Sequence, residues 1–311
     1  MKLSLVVPCY NEQDNVRAFY EATRQAFAGK INEYEIIFVN DGSKDNTWQE
    51  LKELWEQANN LKIVNFSRNF GKEAAMYAGL QRAEGEYVTV IDADLQQRPE
   101  IVVEMVSFLE ENGEYDCVAA YQKERKEGAV LSFFKKTFYK LINSMCEINF
   151  QSGASDFRTF RREMVGSVLE MKEYFRFSKG IFSWVGYNTY FMPYEVQERN
   201  AGQTSWSFVK LFKYAIHGIV AFTTAPLNLA TWLGGICAVL SVFYMVVVII
   251  QKLCFDIAIP GYPTLVVLLL LIGGIQMMLL GVIGQYIAKI YIEGKHRPIY
   301  IAKESRERNE K

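Results

Sequence analysis

The 311-residue chain is short of several features that would direct a reading elsewhere. Its five cysteines, Cys9, Cys117, Cys146, Cys237 and Cys254, are scattered, odd in number and without C-x-x-C spacing. That pattern excludes a disulfide framework or a zinc site and fits reduced packing residues. No G-x-G-x-x-G follows the first strand-like segment, which runs instead into Pro8-Cys9-Tyr10-Asn11-Glu12, and no G-x-x-x-x-G-K-[ST] occurs. A dinucleotide oxidoreductase and a P-loop phosphotransferase are therefore set aside. Nor is there an excess of either charge: 34 Lys+Arg face 35 Asp+Glu, for a formal net charge of −1. Nucleic acid as a partner has no electrostatic basis in such a balance. Half of the residues are hydrophobic and 22% are charged, which excludes a disordered chain, and the length allows one large or two ordinary domains.

The near-neutral total hides an uneven distribution. Residues 218–288 carry two formal charges, Lys252 and Asp256. Residues 289–311 hold seven Lys/Arg against four Asp/Glu, and residues 1–217 hold 26 against 30. Within the apolar block, Leu227–Ile250 and Thr264–Ile287 are two uncharged runs of 24 residues each. A helix of that length spans about 36 Å, enough for a hydrocarbon core of about 30 Å. A buried soluble core is the alternative, but such helices seldom reach this length twice in succession with every face apolar. The intervening Gln251–Pro263, with Pro260, Gly261 and Pro263, predicts a short turn and so a hairpin. Lys289, Lys295, Arg297 and Lys303 follow the second helix, Lys210 and Lys213 precede the first, and Lys252 alone lies in the turn. The positive-inside rule then predicts two passes with both termini in the cytoplasm. Met1-Lys2 leads straight into a strand-like segment, so no signal peptide is expected.

In the first 217 residues short apolar runs alternate with helical patterns. Leu3–Pro8, Ile36–Asn40, Lys62–Phe66, Tyr87–Asp92 and Asp116–Ala120 read as strands. Glu12–Phe27, Asn46–Ala58, Lys72–Arg82 and Glu100–Glu111 read as helices. The rhythm predicts an α/β fold with a mainly parallel sheet covered on both faces, whose ligands bind beyond the carboxyl ends of the strands. Polar punctuation falls at those ends, including Asp41-Gly42-Ser43 and Asp92-Ala93-Asp94. Along an extended strand, residues i and i+2 point the same way, so two carboxylates there repel unless a cation joins them. Mg²⁺ or Mn²⁺ suits that donor set, and Gln96 adds a neutral oxygen nearby. A lone D-x-D equally describes solvated carboxylates; its place after Tyr-Val-Thr-Val-Ile favours the ligand reading.

These residues carry a resemblance. Val6 through Glu12, Val39 through Asp45 and Asp92 through Gln96 resemble family 2 glycosyltransferases of GT-A fold. Ser155-Asp156-Phe157-Arg158, Arg199 through Trp206, the hairpin and Tyr291 through Tyr300 resemble the polyprenyl-phosphate subgroup, which includes bactoprenol glucosyltransferases and dolichol-phosphate mannose synthases. The resemblance implies that Pro8, Tyr10, Glu12 and Asp41 hold the base and ribose of a nucleotide-sugar donor, with Lys72 and Asp92 beside it. For Asp41 the ordinary role is a turn or N-cap before the helix near Asn46, and both roles can coexist; for Lys72 it is a solvated lysine. Asp92, Asp94 and Gln96 match the metal and diphosphate region, Asp94 being the firmest ligand. Asp156 matches a carboxylate at the reacting centre, or else pairs with Arg158 or Arg161. Arg125, Lys179 and Arg199 fall at or near positions serving the donor and acceptor phosphates, or are surface charges. Gln122 stands where many relatives have Arg, and Ser205 where many have Lys, so the donor sugar inferred from relatives is less fixed.

The organisation expected is a cytoplasmic GT-A domain (1–205), a juxtamembrane amphipathic helix (206–226), two transmembrane helices (227–288) and a basic cytoplasmic tail (289–311). Leu131–Ile142 and Phe208–Phe222 are amphipathic stretches suited to a membrane surface, although an ordinary core-facing helix explains the first equally well. Homo-oligomerisation through the membrane helices is compatible with such a hairpin. The expected activity is inverting transfer of one sugar to undecaprenyl or another polyprenyl phosphate at the inner face of a bacterial cytoplasmic membrane. The expected donor is UDP-glucose, with UDP-N-acetylglucosamine second. A processive polysaccharide synthase would require Q-x-x-R-W, which the chain lacks. A non-catalytic sugar-nucleotide scaffold has no use for an intact D-x-D.

Overall fold

A computed structural model describes residues 2–122, 154–194, 225–255 and 261–308. Arg125, Arg199 and the stretches Leu131–Ile142 and Phe208–Phe222 lie outside the described residues. The chain divides into one compact unit of residues 1–214 with 297–311 and a second of residues 215–296.

In the first unit, strands β1 (Leu3–Cys9), β2 (Tyr34–Asn40), β3 (Leu61–Phe66) and β4 (Tyr87–Val90) alternate with helices α1 (Val16–Phe27), α2 (Thr47–Gln57), α3 (Lys72–Arg82) and α4 (Pro99–Glu111). β5 (Cys117–Gln122), β6 (Ala154–Arg161), α5 (Arg162–Glu170), α6 (Ser178–Trp184) and β7 (Thr189–Tyr194) follow. The strands form one eight-stranded sheet in the order β7-β5-β6-β4-β1-β2-β3-β8, where β8 is Ala302–Arg306. β1 pairs in parallel with both β2 and β4, and β2 with β3. β6 runs antiparallel to β4 and β5, and β8 antiparallel to β3.

The local reasons are visible in the residues. β1 to β4 are runs of branched and aromatic side chains buried on both faces, as a sheet with helices on each side requires. α1 buries Val16, Phe19, Thr23, Ala26 and Phe27, a stripe at helical spacing, and Phe19 meets Phe38 of β2 edge to face. α4 starts on Pro99, whose missing N–H costs nothing at a first turn. Cys9 and Cys117 are free and buried, and burial pushes both thiols up, Cys117 to about 11. They are packing residues in the described core.

Residues 289–311, expected to be a tail, divide structurally. The long helix Tyr262–Glu293 takes up their first residues, and Ala302–Arg306 return as strand β8 on the edge of the sheet. Tyr300 stacks on Phe66 at 4.8 Å, its hydroxyl donates to Gln81 and accepts from Arg82, and Ser67 N–H donates to Ile301 O. The Arg308 guanidinium lies 4.9 Å from the Trp55 ring centroid. The basic character of this segment is thus partly spent on aromatic and carbonyl partners of α2.

The second unit contains α7 (Ala225–Phe255, 31 residues) and α8 (Tyr262–Glu293, 32 residues). Leu271–Glu293 in α8 is long and apolar enough to cross a membrane, with a mean hydropathy of 1.6, and Ala230–Tyr244 in α7 is a shorter apolar stretch. Both helices carry exposed large apolar side chains: Trp232, Val239 and Phe243 on one, Met277, Leu280 and Ile290 on the other.

Candidate active site

Topology gathers the site at one edge. The carboxyl ends of the parallel strands β1, β2, β3 and β4 point the same way. β6 runs against them, so its amino end arrives at that edge. Val90 pairs with Arg158 in this antiparallel ladder, and Asp92 stands two residues after Val90 while Asp156 stands two residues before Arg158.

The D-x-D is not on an extended strand. β4 ends at Val90, and the chain turns through Ala93 to Leu95, which has φ 59°. The reason is a side chain: Gln97 Oε1 accepts the Asp92 N–H at 3.0 Å and its amide donates to Asp92 Oδ2 at 3.3 Å, in place of ladder partners. Asp94 is buried, and its Oδ1 accepts the Gln96 N–H at 3.1 Å. The two carboxylates therefore do not share one face of an extended strand, although a cation does stand beside one of them. It is the Lys72 ammonium, 2.6 Å from Asp92 Oδ1 and 3.3 Å from Asp156 Oδ2.

Asp156 accordingly pairs with Lys72, while Arg158 Nε donates to Ser155 O and Arg161 to Tyr115 O. Burial opposes ionisation of Asp156, but Lys72, then Lys179 and Arg158, hold its carboxyl below the usual range. Its Oδ1 is buried without a hydrogen-bond partner among the described residues. The reverse effect acts on Lys72: against desolvation of its ammonium, Asp92 and Asp156 raise its pKa above the ordinary lysine value. The cluster is thus two carboxylates bridged by one fixed cation, with one carboxylate oxygen unspent.

Asp41 is buried and accepts the Phe70 N–H at 2.6 Å and the Gly71 N–H at 2.9 Å. Its cap is therefore made to the start of α3, not to the helix near Asn46, where Asp45 Oδ1 accepts the Thr47 N–H instead. Burial pushes the Asp41 carboxyl up despite these two donors. Gly71 has φ 100°, a conformation that side chains avoid, and it sets the entry of Lys72 into α3. A Cβ on Gly42 would meet the Arg68 carbonyl carbon at 2.4 Å, so the loops after β2 and β3 touch backbone to backbone. Pro8 lies within β1, Tyr10 is half-exposed just beyond it, and Glu12 accepts from Asn15 Nδ2 while its N–H donates to Thr47 Oγ1. Tyr10, Glu12 and Asp41 follow adjacent strand ends, one strand or two from Asp92.

A model described as glycosyl transferase family 2 matches residues 4–169, more than half of the chain and all of this strand edge. The chain belongs to glycosyltransferase family 2. A second model, the GtrB C-terminal hairpin, matches residues 225–290. A putative glycosyltransferase CsbB of Bacillus subtilis is 40% identical over 97% of this chain and 92% of its own length. An uncharacterized glycosyltransferase sll0501 of Synechocystis is 41% identical over 97% and 94%. A bactoprenol glucosyl transferase of Shigella phage SfV is 38% identical over 99% and 100%. Among solved structures, a Mycobacterium tuberculosis glucosyl-3-phosphoglycerate synthase with Mn²⁺, UDP-glucose and phosphoglyceric acid covers 70% of this chain and 77% of its own at 17% identity, with a TM-score of 0.47, too distant to speak to chemistry.

The donor set of this glycosyltransferase fits a hard divalent cation. Asp92 and Asp94 supply carboxylate oxygens, and among the described residues no His, Cys, Asp or Glu completes a group of three. A cation held by one or two carboxylates fills its other positions with water and ligand phosphates, the habit of Mg²⁺ and Mn²⁺. Gln96 reaches Asp94 through its backbone N–H, and Gln97, which the sequence did not single out, is the amide whose side chain touches Asp92. Sequence reasoning also missed Glu73 and Ser178. The Ser178 N–H donates to Glu73 Oε2 at 3.0 Å and the Ser178 hydroxyl donates to the same oxygen. Burial and then Asp156 push the Glu73 carboxyl up to about 7.

Proposed function

We propose that this glycosyltransferase moves one glucose from UDP-glucose to undecaprenyl phosphate at the cytoplasmic face of a bacterial membrane. The observation that carries the reading is the ionised, partly unsatisfied Asp156 bridged by Lys72 to the D-x-D. The names of the phage relatives support the acceptor and the sugar.

A lipid phosphate monoester has a second pKa near 6, so it reaches the enzyme largely ionised and needs no general base. Asp156 is a poor base in any case, because Lys72 holds it ionised. Its role is to orient the acceptor and to stabilise positive charge as it develops on the sugar. A phosphate oxygen attacks the anomeric carbon, the bond from that carbon to the donor diphosphate breaks, the configuration inverts, and UDP leaves. Lys72 offsets negative charge in the cluster, Lys179 and Arg125 or Arg199 attract the phosphates, and Tyr10, Glu12 and Asp41 seat the nucleoside. Asp94 and Asp92, with Gln96 near, would hold Mg²⁺ or Mn²⁺, which when bound neutralises the leaving diphosphate.

Membrane placement rests on two observations. Apolar side chains face outward around both long helices, which lipid tolerates and water does not. Residues 1–214 and 297–311, on either side of the two helices in sequence, belong to the same compact unit, and β3 pairs with β8 within it. A chain that leaves and re-enters one domain crosses a bilayer an even number of times, hence two passes. Lys289, Lys295, Arg297 and Lys303 then favour the cytoplasmic side.

The test is an Asp156→Asn variant assayed in purified membranes. Loss of transfer by about a hundredfold or more, with UDP still bound, supports the reading; full transfer activity would overturn the role of Asp156.

A further inference from the structure

Two dipeptides face each other across the site. Lys72-Glu73 opens α3, and Ser178-Lys179 opens α6. The outer members, Lys72 and Lys179, both act on Asp156 and help hold it ionised. The inner members are bonded: Glu73 Oε2 takes both the N–H and the hydroxyl of Ser178. Ser178 is buried, so this double acceptance is shielded from water and has no competing solvent partner. α6 has seven residues, too few to hold its own position by helical bonding. The neighbouring Arg176 acts on Glu73 through its charge, while its guanidinium donates to Met171 O and lies 4.4 Å from the Tyr77 ring centroid.

We infer that Glu73 is a positioning residue that fixes Lys179 beside Asp156 by clamping the start of α6 to the start of α3. The inference rests on the functional reading above and adds a residue which that reading does not use. Glu73 acts through Lys179, so its loss is felt at the acceptor phosphate and not at the nucleoside. Burying a carboxylate beside Asp156 is unfavourable, as the raised Glu73 pKa records, and the Ser178 bonds offset that cost.

A double-mutant cycle on the full chain, with UDP-glucose and a short-chain polyprenyl phosphate, tests this. Glu73→Ala is expected to raise the acceptor KM about tenfold or more, the order that sub-ångström misplacement produces, while UDP affinity by calorimetry stays at the wild-type value. Lys179→Ala should do the same, and Glu73→Ala combined with Lys179→Ala should be no worse than Lys179→Ala alone. Glu73→Gln keeps an acceptor oxygen for Ser178 and should restore most of the acceptor affinity; Ser178→Ala, which removes only the hydroxyl, gives a milder probe if Glu73→Ala does not fold. Additive effects of the two alanine variants, or equal losses for acceptor and UDP, would overturn the positioning role. If the wild-type protein itself transfers no glucose while binding UDP, it is the functional reading that fails.

Discussion

The ammonium of Lys72 stands 3.3 Å from the carboxylate of Asp156, joining the first residue of α3 to the amino end of an antiparallel strand. The same ammonium lies 2.6 Å from Asp92, so one cation ties the D-x-D to Asp156. Replacing Lys72 with Met leaves two carboxylates facing each other uncompensated. Transfer should fall by about a hundredfold. The sign of the pH effect follows from the depressed Asp156 pKa. Its ionised form is stabilised in the wild type and is lost only as pH falls below the ordinary carboxylate range. Without Lys72 that pKa rises, so the acid limb of the rate profile should move to higher pH. A limb that stays in place would mean Lys72 does not control Asp156.

Glu73 gives the opposite sign. Its carboxyl is raised from 4.5 to about 7 in the fold, so the stability contributed by its protonated form is present below pH 4.5 and is lost as pH rises through about 7. Glu73→Gln abolishes this term. Thermal melting of the two proteins in detergent should therefore diverge in favour of Glu73→Gln as the pH is raised from 5 to 8. Parallel curves would contradict the burial assigned to Glu73.

Asp41 is bonded to two backbone donors, and an amide can accept from only one of them without presenting its own N–H to the other. Asp41→Asn should cost about 1–3 kcal/mol and weaken UDP binding, because the loop that carries Gly71 loses its anchor. Unchanged UDP affinity by calorimetry would separate Asp41 from the donor site.

Tyr300 reaches from the segment after the hairpin to Phe66, Gln81 and Arg82. Tyr300→Phe keeps the stack and loses the hydroxyl bonds, at about 1 kcal/mol. Tyr300→Ala loses both and should destabilise by about 2–3 kcal/mol. Equal melting temperatures for the two variants would show that the stack contributes nothing.

Much of the sheet was legible because both-face burial writes itself as unbroken apolar runs. β1 to β4 and the helices between them fall close to where those runs and the helical spacing put them. β6 and β8 escaped for the opposite reason. Ala-Lys-Glu-Ser-Arg is an exposed edge strand with almost no apolar signal, and Ala154–Arg161 hides a buried Arg158 among polar residues. The antiparallel β6 is what brings Asp156 to the site, so motif resemblance found the residue while periodicity could not find its neighbour. The Lys72 bridge and the Glu73–Ser178 bond link segments far apart in the chain, and Gln97 differs from Gln96 only in where a turn points it. None of these leaves a trace in composition or spacing.

The most direct test of the account is the mass of the lipid product. Purified full-length protein would be given Mg²⁺, short-chain polyprenyl phosphate and either UDP-glucose or UDP-N-acetylglucosamine. The account predicts a polyprenyl phosphate bearing one hexose from UDP-glucose, formed by the wild type and lost in Asp94→Asn and in excess chelator. A product bearing several sugars, a product formed only from UDP-N-acetylglucosamine, or undiminished transfer without a divalent cation would contradict it.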